Sequence, residues 1–515
     1  MSDLGSGPDD QRPLDEALEG ETAARVAGER DPSSLDSIRK RAVGGVLSLG
    51  IRNVIIRALG LLGTIVLARL LAPEDFGVLA LGLTLQLVGN VLASGGLGAE
   101  LIRRAEPPRR EELRAVLAFQ LIVGLVLVAL VSGAALIFGG AAGPIALIAA
   151  SIPVAVLCSP ARILLQRELD WNLLAVAEVA GVLVFNALAI GLVVAGLEVW
   201  GVAPAAVVQA AVTSALLIVR GPIGLVAPLP SLTIMKPLLR FGIAYQSVAL
   251  IDRGRDQAIN SLAAALGGFA LLGVWSAAYR IFLAIQLVFE ALYRVSFPAM
   301  ARMIEAGQDA ERMLATVLRL NATAFGAPAA AVGGSAPVLV PVVFGADFDA
   351  AIAVLPFGAA ALFLSGPALT AGMSLIQAKG DAGAMIRCYL AQALTWIGGS
   401  AILIGPLGAE GIGVAMLASS VALVLAVSQA TRRHAPMRYA AAVWPAAAAA
   451  LAGGGAAWLV TLEIGPLLPA LLASLAASQL VFLAAMALLR RNDLIEFRNT
   501  LGSAISSMLA SRRAA

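Results

Sequence analysis

The sequence predicts an all-α polytopic membrane protein with fourteen transmembrane helices. Its 515 residues are 59% hydrophobic and only 13% charged, whereas soluble domains carry about 25% charged residues. Apolar runs of about 18 residues or more recur along the chain, which is the pattern of membrane-spanning helices. The segments between these runs alternate between arginine-rich and arginine-free, as loops on opposite sides of a membrane do.

Fourteen apolar segments are long enough for this assignment, since the hydrocarbon core of a bilayer takes about 20 residues of helix. The ninth is the least regular, because Pro328, Pro337 and Pro341 interrupt it and proline removes helical hydrogen bonds. The predicted spans are residues 44–69, 76–99, 115–138, 143–161, 173–195, 199–219, 240–265, 269–293, 314–341, 350–375, 386–405, 410–430, 440–461 and 466–489.

The loops between these spans alternate in charge. One set is rich in arginine, as in residues 103–114, and the other reads FGGAAGP, LGGFAL or GPLGAE, with no Lys or Arg. Arg69, which borders the first neutral turn, is the exception. Because cytoplasmic loops carry the excess of basic residues, both termini are predicted to lie in the cytoplasm.

The two ends of the chain differ from the spans. Residues 1–38 are polar and acidic and lack the apolar core of a signal peptide, which predicts a disordered cytoplasmic tail. Residues 491–515 place apolar side chains at helical spacing among arginines, which predicts an amphipathic helix on the cytoplasmic leaflet. A frayed tail is the alternative for this second segment.

An internal repeat links the two halves of the chain. The stretch RLLAPEDFGVLAL at 69–81 resembles ALGGFALLGVWSA at 265–277, and Gly77 aligns with Gly273 at an offset of 273 − 77 = 196. The same offset carries the first predicted span onto the seventh and aligns Arg57 with Arg253.

This repeat predicts two six-helix lobes in the same orientation, around a central cavity. The lobes are residues 39–220 and 236–430, and two further helices occupy 431–490. Parallel repeats of this kind are typical of transporters that alternate access around a site between the lobes.

Ionisable residues cluster in the first, seventh and eighth predicted spans. A charge at the centre of a bilayer costs on the order of 2.5–3.5 kcal/mol, so these side chains must pair with each other or face water. One interpretation of the seventh span is a local ladder of i, i+3 ion pairs, Asp252 with Arg255 and Arg253 with Asp256. The eight residues are Arg52, Arg57, Asp252, Arg253, Arg255, Asp256, Arg280 and Glu290.

The second interpretation is a cationic cavity, because the arginines outnumber the carboxylates. Arginine suits phosphate, since its planar guanidinium donates two parallel hydrogen bonds. Isolated arginines such as Arg69 and Arg319 can instead extend to the membrane surface. The carboxylates would hold the cavity arginines apart and are candidates for ion coupling; they are Asp252, Asp256 and Glu290. The candidate substrate-binding residues are Arg52, Arg57, Arg253, Arg255 and Arg280.

Several kinds of site are missing from the sequence. There is no G-x-x-x-x-G-K-[ST] phosphate loop, and His434 is the only histidine, so no metal ligand set and no cofactor are expected. Asp347-Phe348-Asp349 has an Asp-x-Asp form, but its place in a short, neutral outer loop favours an ordinary polar turn. Membrane orientation explains the basic residues better than a nucleic-acid partner does.

Six motifs resemble the Wzx-type polysaccharide flippases of the multidrug/oligosaccharidyl-lipid/polysaccharide exporter superfamily. The resemblance covers about residues 40–430, with one departure at Trp275, where the family commonly has Tyr. The motifs are ARLLAPEDFGVLAL (68–81), GGLGAELIRR (95–104), LLQRELDW (164–171), ALGGFALLGVWSAAYR (265–280), RVSFPAMAR (294–302) and SAPVLVPVVFGADFDAAIAVLP (335–356).

The resemblance implies a flippase of the bacterial inner membrane with a fold like that of MATE and MurJ transporters. Its substrate would be an undecaprenyl-diphosphate-linked oligosaccharide within the lipid bilayer, and its neighbours would include the polysaccharide polymerase machinery. The negative charge of this diphosphate would suit the cationic cavity that the charged residues predict. Two relatives stay open as alternatives: a lipid II flippase of the MurJ type, and a MATE-like small-molecule exporter, which would need a net-negative cavity. An enzyme such as a polymerase would need a sizeable outer loop, and the outer loops are short.

Overall fold

The computed structural model describes residues 56, 58–104, 106–138, 140–307, 309–463 and 468–513. Side chains are described there except at 138, at most positions of 240–252 and 284–305, and from 500 onward. This part of the chain is almost entirely helical and contains no β-strand. The predicted tail at 1–38 and most of the first predicted span lie outside the described residues.

The first lobe is a sequence of short and long helices that ends at Arg220. Helix α2 begins at Pro73, whose fixed φ suits the first turn, with Glu74 and Asp75 at the positive end of the helix dipole. The helices are α1 (Ala58–Leu70), α2 (Pro73–Ser94), α3 (Leu97–Arg103), α4 (Arg110–Phe138), α5 (Ala142–Ala149), α6 (Ser151–Val156), α7 (Ser159–Arg167), α8 (Trp171–Leu192) and α9 (Glu198–Arg220).

The second lobe begins with α10 (Leu232–Glu305), which breaks at Gly268, where φ is +76°. This break divides α10 into the two arms that correspond to the seventh and eighth predicted spans. Asp309 and Asp381 accept backbone N–H groups at the first turns of α11 and α15, which fixes where those helices begin. The helices after α10 are α11 (Ala310–Gly334), α12 (Ala336–Val343), α13 (Ala351–Pro367), α14 (Met373–Ala378), α15 (Ala382–Leu407) and α16 (Ala409–Thr431).

Two further helices, α17 (Tyr439–Glu463) and α18 (Leu468–Arg513), pack against α11. Phe482 of α18 is buried beside Phe325 of α11 in one apolar cluster. Helix α18 bends at Arg490, and just beyond the bend Asp493 lies 3.3 Å from Arg319. Arg319 therefore has a protein partner. It does not need to extend to the membrane surface, which was the sequence-based interpretation.

The protein is a polytopic helical membrane protein. Among the described residues, nine helices are long and apolar enough to cross a membrane, or up to eleven if each of two bent pairs forms one span. The segment Trp171–Arg220 counts once in that total, although positive φ angles at Gly196 and Glu198 interrupt it. The number fourteen therefore stays a prediction.

One large apolar core joins the two lobes. It combines Leu67 and Phe76 of the first lobe with Trp275, Phe282 and Phe344 of the second, all of them buried. Leu67, Phe76 and Phe344 lie near the turns that the charge pattern assigns to the outer side, here called the predicted outer end. The lobes are thus packed against each other at that end, which sets the geometry of any site between them.

Candidate substrate site between and within the lobes

At the predicted outer end, α2 and the second arm of α10 touch backbone to backbone. A β-carbon on Gly77 would lie 1.8 Å from the carbonyl oxygen of Phe269, and one on Gly273 would lie 1.8 Å from that of Pro73. Only glycine permits this approach, as is common where membrane helices pack closely. The contact is reciprocal, since 269 − 73 equals the repeat offset of 196 that relates Gly77 to Gly273.

Two hydrogen bonds between the lobes obey the same offset. The guanidinium of Arg280 donates to Thr64 Oγ1 at 2.7 Å, and Asn260 Nδ2 donates to Thr84 Oγ1 at 3.0 Å. Asn260 is the repeat equivalent of Thr64, and Arg280 of Thr84, because 260 − 64 and 280 − 84 both equal 196. The contacts between the lobes therefore follow a pseudo-two-fold axis, in which residue i meets j and the equivalent of j meets the equivalent of i.

Arg280 belongs to this contact surface. Its guanidinium lies 5.5 Å from the centre of the Phe76 ring, in addition to its hydrogen bond with Thr64. On the other side, Trp275 Nε1 donates to Asn260 Oδ1 at 3.1 Å and orients the amide toward Thr84. These partners make Arg280 a link between the lobes.

A hairpin of the second lobe covers the same end. Arg69, at the end of α1, donates to the backbone carbonyls of Val342 and Val343 at the end of α12. Such carbonyls have no partner within their own helix. Phe348, in the turn after α12, packs edge-on against Phe76 at 5.5 Å between ring centres. Arg69 thus connects the two lobes.

Arg253 lies on the helix face that looks toward the first lobe. It is seven residues, or about two turns, before Asn260, which contacts Thr84 of that lobe. Its side chain is exposed, and the structure records no ion pair for it among the described residues. Arg57 stands seven residues before Thr64 in the same way, but Arg52 and Arg57 lie outside the described residues.

Arg255 faces the interior of the second lobe, because two residues along a helix turn the side chain by about 200°. Its Nε and Nη2 donate to Asp256 Oδ1 at 2.9 and 2.7 Å, and its Nη1 donates to Gln392 Oε1 at 3.1 Å. The guanidinium also stacks over Trp396, 5.1 Å from the ring centre. The Tyr279 hydroxyl donates to the other Asp256 oxygen at 3.0 Å.

This pairing differs from the i, i+3 ladder that the sequence allowed. Asp256 is held by its neighbour Arg255 and by Tyr279, and no pair of Asp256 with Arg253 is found in the described structure. The side chains of Asp252 and Glu290 lie outside the described residues.

The network lines a cavity of about 150 Å³ within the second lobe. Helices α10, α11, α13, α15 and α16 form its walls, and every lining residue in the described part of the chain has a number of 255 or higher. One wall continues into a π-helix at Ala368–Gly372, a distortion that is frequent at functional sites. The side chains that line the cavity include Arg255, Asp256, Tyr279, Gln286, Gln392 and Trp396.

The structure therefore separates the predicted site residues into three groups. Arg255 and Asp256 lie together in the second-lobe cavity, Arg280 lies in the contact between the lobes, and Arg253 lies on the opposite side of its helix from Arg255. Sequence reasoning missed Gln392 and Trp396, which follow each other at i, i+4 in an apolar helix. A polar residue one turn from an aromatic residue was the available signal.

Comparisons with known proteins agree with this architecture. Residues 66–353 match the family model described as polysaccharide biosynthesis protein. The lipopolysaccharide biosynthesis protein WzxC of Escherichia coli (strain K12) is 26% identical over 338 residues, which cover 62% of this chain and 66% of that relative's length.

Among solved structures, the fold is similar to that of the lipid II flippase MurJ in its inward closed conformation. The TM-score is 0.69 at 14% identity, with 87% of this chain and all of the other covered. An inward-facing multidrug resistance MATE family transporter has a TM-score of 0.58 at 18% identity and covers 76% of this chain and 98% of its own. The family model spans more than half of the sequence, and the chain belongs to the polysaccharide biosynthesis protein family.

Proposed function

We propose that this protein is a flippase for undecaprenyl-diphosphate-linked oligosaccharide repeat units. It moves them from the inner to the outer leaflet of the bacterial inner membrane, for the synthesis of surface polysaccharide. The observation that carries this proposal is the position of Arg253, an exposed guanidinium in the middle of an apolar helix on the face toward the other lobe. A position so costly for a charge favours an anionic ligand or water as its partner.

The repeat supplies the second half of the proposed anion site. Arg57 is the equivalent of Arg253, so a pseudo-two-fold axis between the lobes would bring one arginine from each lobe toward the same space. Two guanidinium groups suit a diphosphate, which has two phosphoryl groups to accept paired hydrogen bonds. Arg52 adds a further positive charge in the same predicted span. Asp252 and Glu290 are proposed to limit the net charge of this space or to couple transport to an ion.

Alternating access is the proposed mechanism. The reciprocal contacts at the predicted outer end hold the lobes together there, so release toward the outer leaflet would require them to separate. The bond from the Asn260 amide contributes about 0.5–1.5 kcal/mol net, and the bond from the charged Arg280 guanidinium about 1.5–3 kcal/mol. The bonds between Arg280 and Thr64 and between Asn260 and Thr84 are therefore weak enough to break in each cycle. This mechanism needs no covalent chemistry, and we propose no enzymatic activity.

The membrane orientation and the partners follow from the same proposal. Both termini would lie in the cytoplasm, and the polymerase machinery on the outer face would receive the product. A lipid II flippase and a MATE-like exporter share the fold, but likeness at this identity decides nothing about substrate. Among the described residues that line the second-lobe cavity, the ion pair of Arg255 with Asp256 leaves no net negative charge, which speaks against a cation exporter.

A deletion strain tests the proposal. Lipid-linked repeat units should accumulate on the cytoplasmic face, and the wild-type gene should restore surface polysaccharide. Arg253→Gln and Arg57→Gln should each restore less than the Lys variants, and the double Gln variant least. Arg220→Gln is a suitable control, because Arg220 is exposed at the end of α9. Normal surface polysaccharide in the deletion strain without a second flippase, or full function of the double Gln variant, would contradict the proposal.

A further inference from the structure

The second-lobe cavity is larger than ordinary packing explains. Protein interiors contain few voids larger than a water molecule. A volume of 150 Å³ corresponds to roughly five waters at ~30 Å³ each. A salt-bridge ladder that served stability alone would be expected to pack without such a space.

The charges described in the cavity do not favour an ionic ligand. Among the described lining residues, Arg255 and Asp256 are the charged ones, and they pair with each other at 2.7 Å. A diphosphate would have to displace Asp256 from Arg255, and a metal cation would meet the guanidinium. Among the described residues, no group of three His, Cys, Asp or Glu side chains could hold a metal ion. The cavity therefore suits a ligand without net charge.

The neutral groups of the cavity suit a ligand with several hydroxyl groups. Because a guanidinium only donates, the Gln392 atom that faces Arg255 is the carbonyl oxygen, which leaves its NH₂ group for another partner. Ser365 and Ser420 donate to backbone carbonyls of their own helices and keep oxygen lone pairs that can accept. These donors and acceptors stand among aromatic walls that include Phe289 and Trp396. A few placed polar groups on apolar walls are typical of small-molecule sites.

The cavity groups are also held rigidly. Arg255 is fixed on three sides by Asp256, Gln392 and the face of Trp396, and Trp396 Nε1 donates to the carbonyl of Ile412. Trp275 packs edge-on against Trp396 at 6.0 Å. Preorganised groups lose little entropy when a ligand binds, which favours specific binding of one ligand shape.

We propose that this cavity binds one uncharged sugar unit of the lipid-linked oligosaccharide, separately from the diphosphate. The inference rests on the proposed function and adds a division of labour to it. Arg253 and the space between the lobes hold the charged end of the substrate, and the second-lobe cavity recognises part of its glycan. Arg255 then acts as a positioning residue that orients Gln392 and Trp396.

Binding of two lipids to the purified protein in nanodiscs tests this division. One probe is undecaprenyl diphosphate without sugar, and the other is the lipid-linked oligosaccharide extracted from the deletion strain. Gln392→Ala should weaken binding of the glycosylated lipid about tenfold, equivalent to ~1.4 kcal/mol, and leave undecaprenyl diphosphate unchanged. Ser420→Ala should act in the same direction with a smaller effect. Thr395→Ala is the control, because Thr395 lies on the same helix and bonds only to the carbonyl of Ala391.

The outcomes separate this inference from the proposed function. Unchanged binding of undecaprenyl diphosphate by Gln392→Ala also shows that the variant is folded. If Gln392→Ala and Ser420→Ala weaken both lipids equally, or weaken neither, the sugar site is wrong. If wild-type protein binds neither lipid and Arg253→Gln changes nothing, the proposed function itself has failed.

Discussion

The contact between the lobes is symmetric under the repeat, whereas the second-lobe cavity is not. Two hydrogen bonds and the glycine contact between the lobes are reciprocal under the repeat, as Arg280 with Thr64 matches Asn260 with Thr84. In the cavity, the positions equivalent to Arg255, Asp256 and Tyr279 are Leu59, Gly60 and Leu83, because each lies 196 residues earlier. The first lobe therefore cannot form the same network.

This difference separates what both lobes do from what one lobe does. Symmetric contacts are suited to a movement in which two similar bodies open and close about an axis. An asymmetric polar cavity is suited to a ligand that has different chemistry along its length. A lipid diphosphate joined to a glycan is such a ligand.

The largest expected loss of stability comes from breaking the ion pair of Arg255 with Asp256 in the second-lobe cavity. Asp256→Asn leaves the guanidinium of Arg255 without its carboxylate, and breaking a buried ion pair costs about 3–5 kcal/mol. Because the Asp256 side chain is 24% exposed, we expect the lower end of that range in free energy of unfolding. The double variant Arg255→Gln/Asp256→Asn should lose less than the sum of the single variants. Additive losses in detergent denaturation would show that the pair is not coupled.

The second largest loss of stability is expected at the backbone contact of Gly77 and Gly273. Gly77→Ala and Gly273→Ala each force a β-carbon against a carbonyl oxygen, and overpacking of this kind costs about 1–3 kcal/mol. The reciprocal geometry predicts similar losses of stability for the two variants, together with weaker closure of the predicted outer end. Gly133→Ala is the control, because no atom lies within 4 Å of its added β-carbon. Unequal effects of the two substitutions would contradict the symmetry.

The two hydrogen bonds between the lobes should contribute less. Thr64→Val and Thr84→Val keep the side-chain shape and remove the acceptor, and loss of the neutral hydrogen bond in Thr84→Val should cost about 1 kcal/mol. Thr64→Val should cost more, since its donor Arg280 is charged. The measurement is accessibility of a cysteine at the predicted outer end to a water-soluble thiol reagent, which should rise in both variants. A rise in only one of them would place the axis elsewhere.

The smallest effect is expected at the arginine-rich end, at Glu100. Burial alone would raise the pKa of Glu100, but hydrogen bonds from Arg103 and Arg104 outweigh it and hold the pKa below 4.5. A depressed carboxyl pKa gives stability that is present above the unfolded pKa and is lost as pH falls through the folded pKa. Glu100→Gln should therefore cost about 0.5 kcal/mol at neutral pH, because Arg103 is largely exposed, and this cost should decrease as the pH falls through the folded pKa. A cost that does not depend on pH would rule out the ion pairs as its cause.

The sequence predicted the architecture because hydropathy, loop charge and the repeat are periodic along the chain. The alignment of Gly77 with Gly273 set the repeat offset, but the close contact of the two helices that carry them was not predicted. The sequence could not identify the partner of Asp256, since Arg255 at i−1 and Arg253 at i−3 both lie within one helical turn of it. The bond to Tyr279, across the break at Gly268, decides between them. The sequence also could not identify Gln392, because an uncharged polar residue in an apolar helix becomes informative only when its neighbours in space are known.

The role of Arg280 shows the same limit. In the sequence it is one of several arginines without a nearby acid, and a diphosphate contact was a reasonable prediction. Its hydrogen bond with Thr64 and its stacking on Phe76 suggest instead that it holds the lobes together. The described residues named as a single cationic site therefore divide into a link between the lobes at Arg280, an exposed position at Arg253 and an ion pair in the second-lobe cavity.

The most direct test of the account is a reversible cross-link at the predicted outer end. Thr84→Cys and Asn260→Cys, in a protein whose own Cys158 and Cys388 are replaced, would join two side chains that are in hydrogen-bonding contact. Transport of lipid-linked repeat units would be measured in membrane vesicles before and after reduction. We predict that the oxidised protein transports none and that a reducing agent restores transport. Transport at the full rate by the cross-linked protein would contradict alternating access through this end.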